Sequence, residues 1–201
     1  MAIRTANNQS LTEITELPSA VTVGSLVLLE TQTASSDSTI SFTSNIDSTY
    51  DEYVFKVYDF NPGTDDGRLQ INFSIDSGSN YNVAKTTTHF RAYHFESDAS
   101  GLGYQTGDDL AQGTGVQVLI NSEMGNDNDQ NCGGYLHFFG LSDTTFVKHF
   151  ISNINYTSAN DTSTQCFVAG YANTTSAVDA IQFSMSSGNI DAGTISLYGI
   201  S

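Results

Sequence analysis

Apolar and polar residues alternate with a period of two along most of this chain. Arg68–Asp76 carries the cleanest run. Leu69, Ile71, Phe73 and Ile75 fall on one side, and Arg68, Gln70, Asn72, Ser74 and Asp76 on the other. That spacing predicts an antiparallel strand with one buried and one wetted face. Shorter runs predict strands over Val21–Glu30, Thr39–Thr43, Tyr81–Lys85, Thr86–Phe95, Val116–Ile120, Tyr135–Gly140, Phe146–Ile154, Gln165–Tyr171, Ala180–Ser186 and Thr194–Ile200. In Thr86–Phe95, Phe90 and Tyr93 fall on opposite faces. Glu52–Asn61 differs from the rest. Tyr53, Phe55 and Val57 occupy one side and Val54, Tyr58 and Phe60 the other, which predicts a central strand packed on both faces. Thr194–Ile200 carries one apolar face, and its backbone groups need partners inside a sheet.

Turn signals separate these runs. PGTDDG (Pro62–Gly67) reads as a turn, SGSN (Ser77–Asn80) as a hairpin turn leading to Tyr81–Lys85, and LSDTT (Leu141–Thr145) as a hairpin connection. Residues 97–115 are rich in Gly and Asp and read as one long loop. Short, evenly spaced strands without intervening helical periods predict an all-β fold, a single jelly-roll-like antiparallel β-sandwich over residues 21–201. Residues 1–20 stand apart as a short N-terminal arm ending near Pro18. Leu11, Ile14 and Leu17 lie at i, i+3 and i+6, with Ser10 and Glu13 spaced as a capping box. Together with Val21 they form the candidate anchoring surface of the arm.

Composition agrees with strands. Of the 201 residues 38% are hydrophobic and 11% aromatic, while Ser, Thr, Asn, Asp and Gly supply turns. The aromatic content argues against disorder. The net charge is −16, with six Lys plus Arg against 22 Asp plus Glu. Phosphate contact needs clustered cations, so nucleic acid is not an expected partner, and anionic membranes are poor ones. No run approaches the ~20 apolar residues that span a bilayer. MAIRTANNQS lacks the apolar core of a secretory signal, so synthesis in a cytoplasm is expected. Two cysteines, Cys132 and Cys166, are too few for a disulfide scaffold and read as buried thiols.

Candidate chemistry is sparse. GNDNDQN (Gly125–Asn131) gathers oxygen ligands, with Asp127 and Asp129 as calcium candidates. Cys132 stands where an EF-hand loop needs Gly, so the stretch reads better as a solvated turn. Asp65 and Asp66 read the same way. His89 and His94 are five apart and point to opposite faces, whereas His137 and His149 flank one hairpin and can approach each other. No cofactor is expected beyond that calcium candidate. There is no G-x-S-x-G elbow, no phosphate-binding glycine loop and no carboxylate pair set apart by spacing, so no enzyme is expected. Tyr50, Tyr93 and Tyr104 fall at strand ends or in loops, where rings and hydroxyls could meet a glycan, although the chain has no Trp.

Three blocks carry a family resemblance: TQTASSDSTISFTSNIDSTYDEYVFKV (Thr31–Val57), TTFVKHFIS (Thr144–Ser152) and GNIDAGTISLYGI (Gly188–Ile200). They resemble recurrent segments in structural proteins of marine tailed phages, including those of cyanobacteria and pelagic bacteria. ANNQSLTEITELPSAV (Ala6–Val21) is similar to the start of those proteins. The resemblance implies a virion exterior location and an accessory role as capsid decoration, cement protein or short fibre-like knob. It implies as partners further copies of the chain, as a homotrimer, and major capsid or tail proteins. The alternative it leaves open is a tail-fibre tip that contacts host surface glycans, and more remotely a glycan depolymerase.

Overall fold

The computed structural model describes residues 26–121 and 124–200. Among them there are twelve strands and no helix. The strands are β1 Leu26–Thr33, β2 Thr39–Phe42, β3 Glu52–Pro62, β4 Leu69–Ser74, β5 Lys85–Phe95 and β6 Ser100–Tyr104. They continue as β7 Gln117–Val118, β8 Cys132–Phe139, β9 Lys148–Thr157, β10 Thr162–Ala172, β11 Ala180–Met185 and β12 Ile190–Ile200. They form two antiparallel sheets packed as a sandwich. One runs β1-β12-β3-β8-β9-β10-β5-β6, the other β2-β11-β4-β7.

This is a jelly roll with two insertions. Remove β5–β6 and β9–β10 and the order becomes β1-β12-β3-β8 over β2-β11-β4-β7, the two interleaved four-stranded sheets of that architecture. Both inserted pairs add to the free edge beyond β8, so only one sheet grows. The expected sandwich is therefore present, and the C-terminal strand is central to it. β12 is bonded along its length to β1 on one side and β3 on the other.

The core is aromatic. Phe42, Phe55 and Phe183 meet across the sheets at centroid distances of 5.1 to 6.1 Å, and Phe73 stands edge-on to both Phe138 and Phe150. All six are buried. Edge-to-face rings gain a little beyond their burial, about 1 kcal/mol a pair.

Four sequence expectations change. Tyr81–Lys85 is not a strand: β5 starts at Lys85, and the Ser77–Asn80 turn closes no hairpin, since β4 pairs with β11 and β7. The 97–115 loop contains a strand, β6, which pairs with β5. The polar side of β4 is buried at Asn72 and Ser74 and half-buried at Gln70, while Ile75, expected on the buried face, lies past the end of the strand and is exposed. Asn72 donates to the Tyr81 carbonyl and Ser74 accepts from the Gly78 amide, so loop backbone replaces water there. Finally, β3 is not covered on both faces. A bulge at Asp59, whose φ is +48°, swings Phe60 to the inner side, while Tyr58 remains exposed on the outer one. Of the strand Val21–Glu30, residues 26–30 belong to β1; residues 21–25 and the arm lie outside the described residues.

Gly134 and its neighbour Gly133 test the tightness of the β3–β8–β9 packing. A Cβ at Gly134 would overlap the Asn153 carbonyl oxygen and lie 2.7 Å from Ile154 Cα, both rigid backbone, whereas at Gly133 it would meet only Val57 O at 3.6 Å. Gly134→Ala should cost about 2 kcal/mol or more in urea unfolding, and Gly133→Ala less than about 1 kcal/mol. Equal effects would contradict this packing.

Candidate functional site: the outer face of the large sheet

The sequence-based candidates occupy separate places. Tyr50 packs its ring over Gly199 and stands edge-on to Tyr53, closing one end of the sandwich. Tyr93 points inward on β5, beneath Gly101 of β6. Tyr104 stands on the outer side of β6 and donates to Asp109 at 2.7 Å. The structure does not bring these three together. Leu11, Ile14, Leu17 and Val21 fall outside the described residues.

The two acidic turns do meet. Asp65 accepts the Asn126 amide at 3.0 Å, and Asn61 holds the Gln130 carbonyl at 2.6 Å. Asp127 and Asp129 project into solvent. Among the described residues no three His, Cys, Asp or Glu side chains converge as metal ligands. Cys132 and Cys166 are free, buried thiols on the inner face, and burial pushes both thiol pKa values up, that of Cys166 to about 12.

His89 and His94 point to opposite faces as expected. His94 is exposed near Asp98, whereas His89 is fully buried. His137 and His149 both stand on the outer face. His137 bonds Glu52 at 2.8 Å, and His149 leans on Tyr171.

His89 belongs to a polar seam along the inner side of β5. Lys85 Nζ donates to Asn72 Oδ1 at 2.6 Å and to the Val83 carbonyl at 2.8 Å; Thr87 bonds Gln117; Arg91 donates to Asn121. Burial lowers the Lys85 pKa to about 8. His89 is the exception, because neither ring nitrogen has a hydrogen-bond partner. Its burial, which outweighs the opposing pull of the Asp108 backbone, holds its pKa down at about 4, so the ring is neutral. Beyond Arg91 a small cavity of about 130 Å³ is lined by Tyr93, Phe95, Tyr156, Thr162 and Thr164. Side-chain periodicity could not have found this seam, because the loop that covers it is remote in sequence.

The broadest surface feature lies on the opposite side of the same sheet. In-register rows cross it from strand to strand. One row runs Leu28–Tyr198–Val54–His137–Ile151–Ala169, and the next Ser196–Lys56–Tyr135–Asn153–Phe167–Phe90. Phe90 and Phe167 stack at 4.9 Å. Ile151 is 48% exposed and Leu102 74%. Small residues leave two grooves between the rings. A groove of about 430 Å³ lies over Ala169 and Gly170, walled by Phe139, His149 and Tyr171. Another of about 390 Å³ lies over Gly133, walled by Lys56, Tyr58, Asp59 and Tyr135. Glu52 and Lys56 are the only acidic or basic side chains other than histidine in the rows through Glu52, Val54, Lys56 and Tyr58. A face rich in aromatics and poor in charge has the composition of an interface core.

Comparison of the chain with protein-family models, with curated proteins and with solved structures returns no match. The chemistry of the site therefore has to be read from its own residues.

His89 supplies a test of the seam. Its folded pKa of about 4 lies below the ordinary value of 6.5. Between those values the unfolded chain binds the proton more readily, so stability present above pH 6.5 is lost as pH falls towards 4, by roughly 3 kcal/mol in all. His89→Leu removes both orphan nitrogens. It should raise stability at pH 7.5 by about 1 kcal/mol and flatten the acid limb relative to wild type. Parallel pH–stability curves would show that His89 is hydrogen-bonded after all.

Proposed function

We propose that this chain is a structural protein of a tailed-phage virion, an accessory exterior component that its N-terminal arm attaches and its jelly roll displays. The observation that carries the reading is the pairing of a closed aromatic interior with one wide, charge-poor outer face. Such a molecule is built to be held and to hold, since catalysis needs convergent titratable groups in a cleft. The resemblance of Thr31–Val57, Thr144–Ser152 and Gly188–Ile200 to virion proteins supports the same reading. So does the jelly roll, an architecture common among capsid domains, although a fold alone does not assign a function. In this proposal Leu11, Ile14, Leu17 and Val21 form the anchor, and the partners are further copies of the chain together with capsid or tail proteins.

A second reading, a tail-fibre tip that contacts host glycans, is favoured by the two aromatic-walled grooves, where sugar rings could lie on Tyr135, Tyr58 or Tyr171.

Cryo-electron microscopy of the virion separates the two. The decoration reading expects hundreds of copies on the head; a few copies confined to the tail would overturn it. A chain lacking residues 1–20 should fold with unchanged thermal stability yet no longer join the particle. Full incorporation of that truncated chain would remove the anchor role.

A further inference from the structure

We infer that the outer face of the eight-stranded sheet is a self-association surface, on which a second copy of this chain packs face to face about a two-fold axis. The inference concerns the isolated protein, is independent of where it works, and sets a dimer in place of the homotrimer that the family resemblance implies.

Three observations carry it. The first is charge. The chain bears −16, yet the rows through Glu52, Val54, Lys56 and Tyr58 hold one carboxylate and one ammonium. Any approaching copy is equally acidic. This is a surface on which an identical chain can be buried with few carboxylates brought together, Asp59 at the rim of the Gly133 groove being the one beyond those rows, and like charges in contact are costly. Repulsion between the acidic margins is screened beyond ~8 Å at physiological salt.

The second is self-complementarity. Glu52 and Lys56 lie four residues apart on the outer side of β3. A two-fold axis lying in the interface and crossing β3 at Val54 sets Glu52 of each copy, which also bonds His137 of its own chain, beside Lys56 of the other, two ion pairs from one patch. A head-to-tail contact would instead bury the face against some other, acid-bearing surface, leaving Lys56 with several carboxylates and the apolar rows with charge. Isologous packing avoids this.

The third is area. Eight strands at ~4.8 Å spacing are ~34 Å across, and rows ~7 Å apart make the face ~20 Å tall, or roughly 700 Å². Stable complexes bury about 800 Å² per partner, whereas the largest apolar patch of a typical monomer is about 300–600 Å². The relief also suits pairing. Grooves lie over Gly133 and Ala169 and ridges stand at Phe90–Phe167 and Leu102, so ridges of one copy can enter grooves of the next.

Sedimentation velocity of the full chain tests this. The wild type should sediment as a dimer, twice 21.6 kDa, at tens of micromolar. Pairing should tighten as NaCl rises from about 20 to 300 mM, because salt screens the acidic margins. Ile151→Glu, in the middle of the face, should weaken association at least 100-fold. Phe146→Glu adds the same charge at a side chain 69% exposed in the β8–β9 connection and should leave the dimer intact. Lys56→Glu should weaken pairing about 10-fold, and adding Glu52→Lys should restore it, a rescue that a misfolded variant would not give. A wild type that is monomeric at 100 μM, or trimeric, overturns the inference. So does an Ile151→Glu chain that stays dimeric, or a monomer whose outer face is occupied by a glycan instead.

Discussion

An eight-stranded sheet facing a four-stranded one cannot be covered by it. At ~4.8 Å per strand the large sheet is ~34 Å wide and the small one ~14 Å. The aromatic core fills the overlap, where Phe55, Phe138 and Phe150 of the large sheet meet Phe42, Phe183 and Phe73 of the small one. Beyond the overlap, the inner side of β10, β5 and β6 is closed by the segment 105–121. That segment bonds β5 through Leu110 and Gly113 and joins the small sheet through β7. A loop laid over a sheet brings unpaired peptide groups with it, and these need partners. The inner positions of β5 are polar for that reason. Thr87 accepts the Leu110 amide and Gln117 Nε2 reaches the Asp108 carbonyl, while Asn121 ties Arg91, Gln105 and Tyr156 together. On β5 this satisfaction fails at His89, and elsewhere among the described residues the buried hydroxyls of Tyr81 and Ser152 also lack a partner.

The same mismatch shapes the exterior. The two inserted strand pairs widen one sheet only, so they add outer face as fast as inner face, and no element of the described chain covers the outer one. Acidic residues gather instead in turns, such as Asp65, Asp127 and Asp143. Charge that keeps the chain soluble is thus held at the ends and edges, and the flat of the sheet is left neutral and aromatic. The interior supplies rigidity, the margins supply solubility, and the face between them is what remains for contact.

Much of the fold was legible because it is local. The alternation of Leu69, Ile71 and Phe73 marked β4, and the double apolar character of Glu52–Asn61 marked a central strand. What was hidden depended on distant residues or on single backbone angles. The wet side assigned to Asn72 and Ser74 is dry because the 77–85 segment folds back over it. The run Val54–Tyr58–Phe60 reads as one face until the left-handed Asp59 moves Phe60 inward and leaves Tyr58 out. β6 is built from Ser, Gly, Leu and Tyr within a glycine-rich stretch, and its pairing with β5, rather than its propensity, makes it a strand. The outer face escaped detection as well, since a half-buried strand shows which residues alternate but not which side finds a covering layer.

Hydroxyl-radical footprinting of the full chain, at concentrations below and above association, reads that face side chain by side chain. Tyr58, Phe90, Leu102, Tyr135 and Ile151 should all lose reactivity on association, while Ile75, Val116 and Phe146, equally apolar and exposed elsewhere, should not change. Unaltered reactivity across the outer rows, or protection centred on Ile75, Val116 or Phe146, would contradict the assignment of the large sheet's outer face as the surface by which this protein meets its own kind.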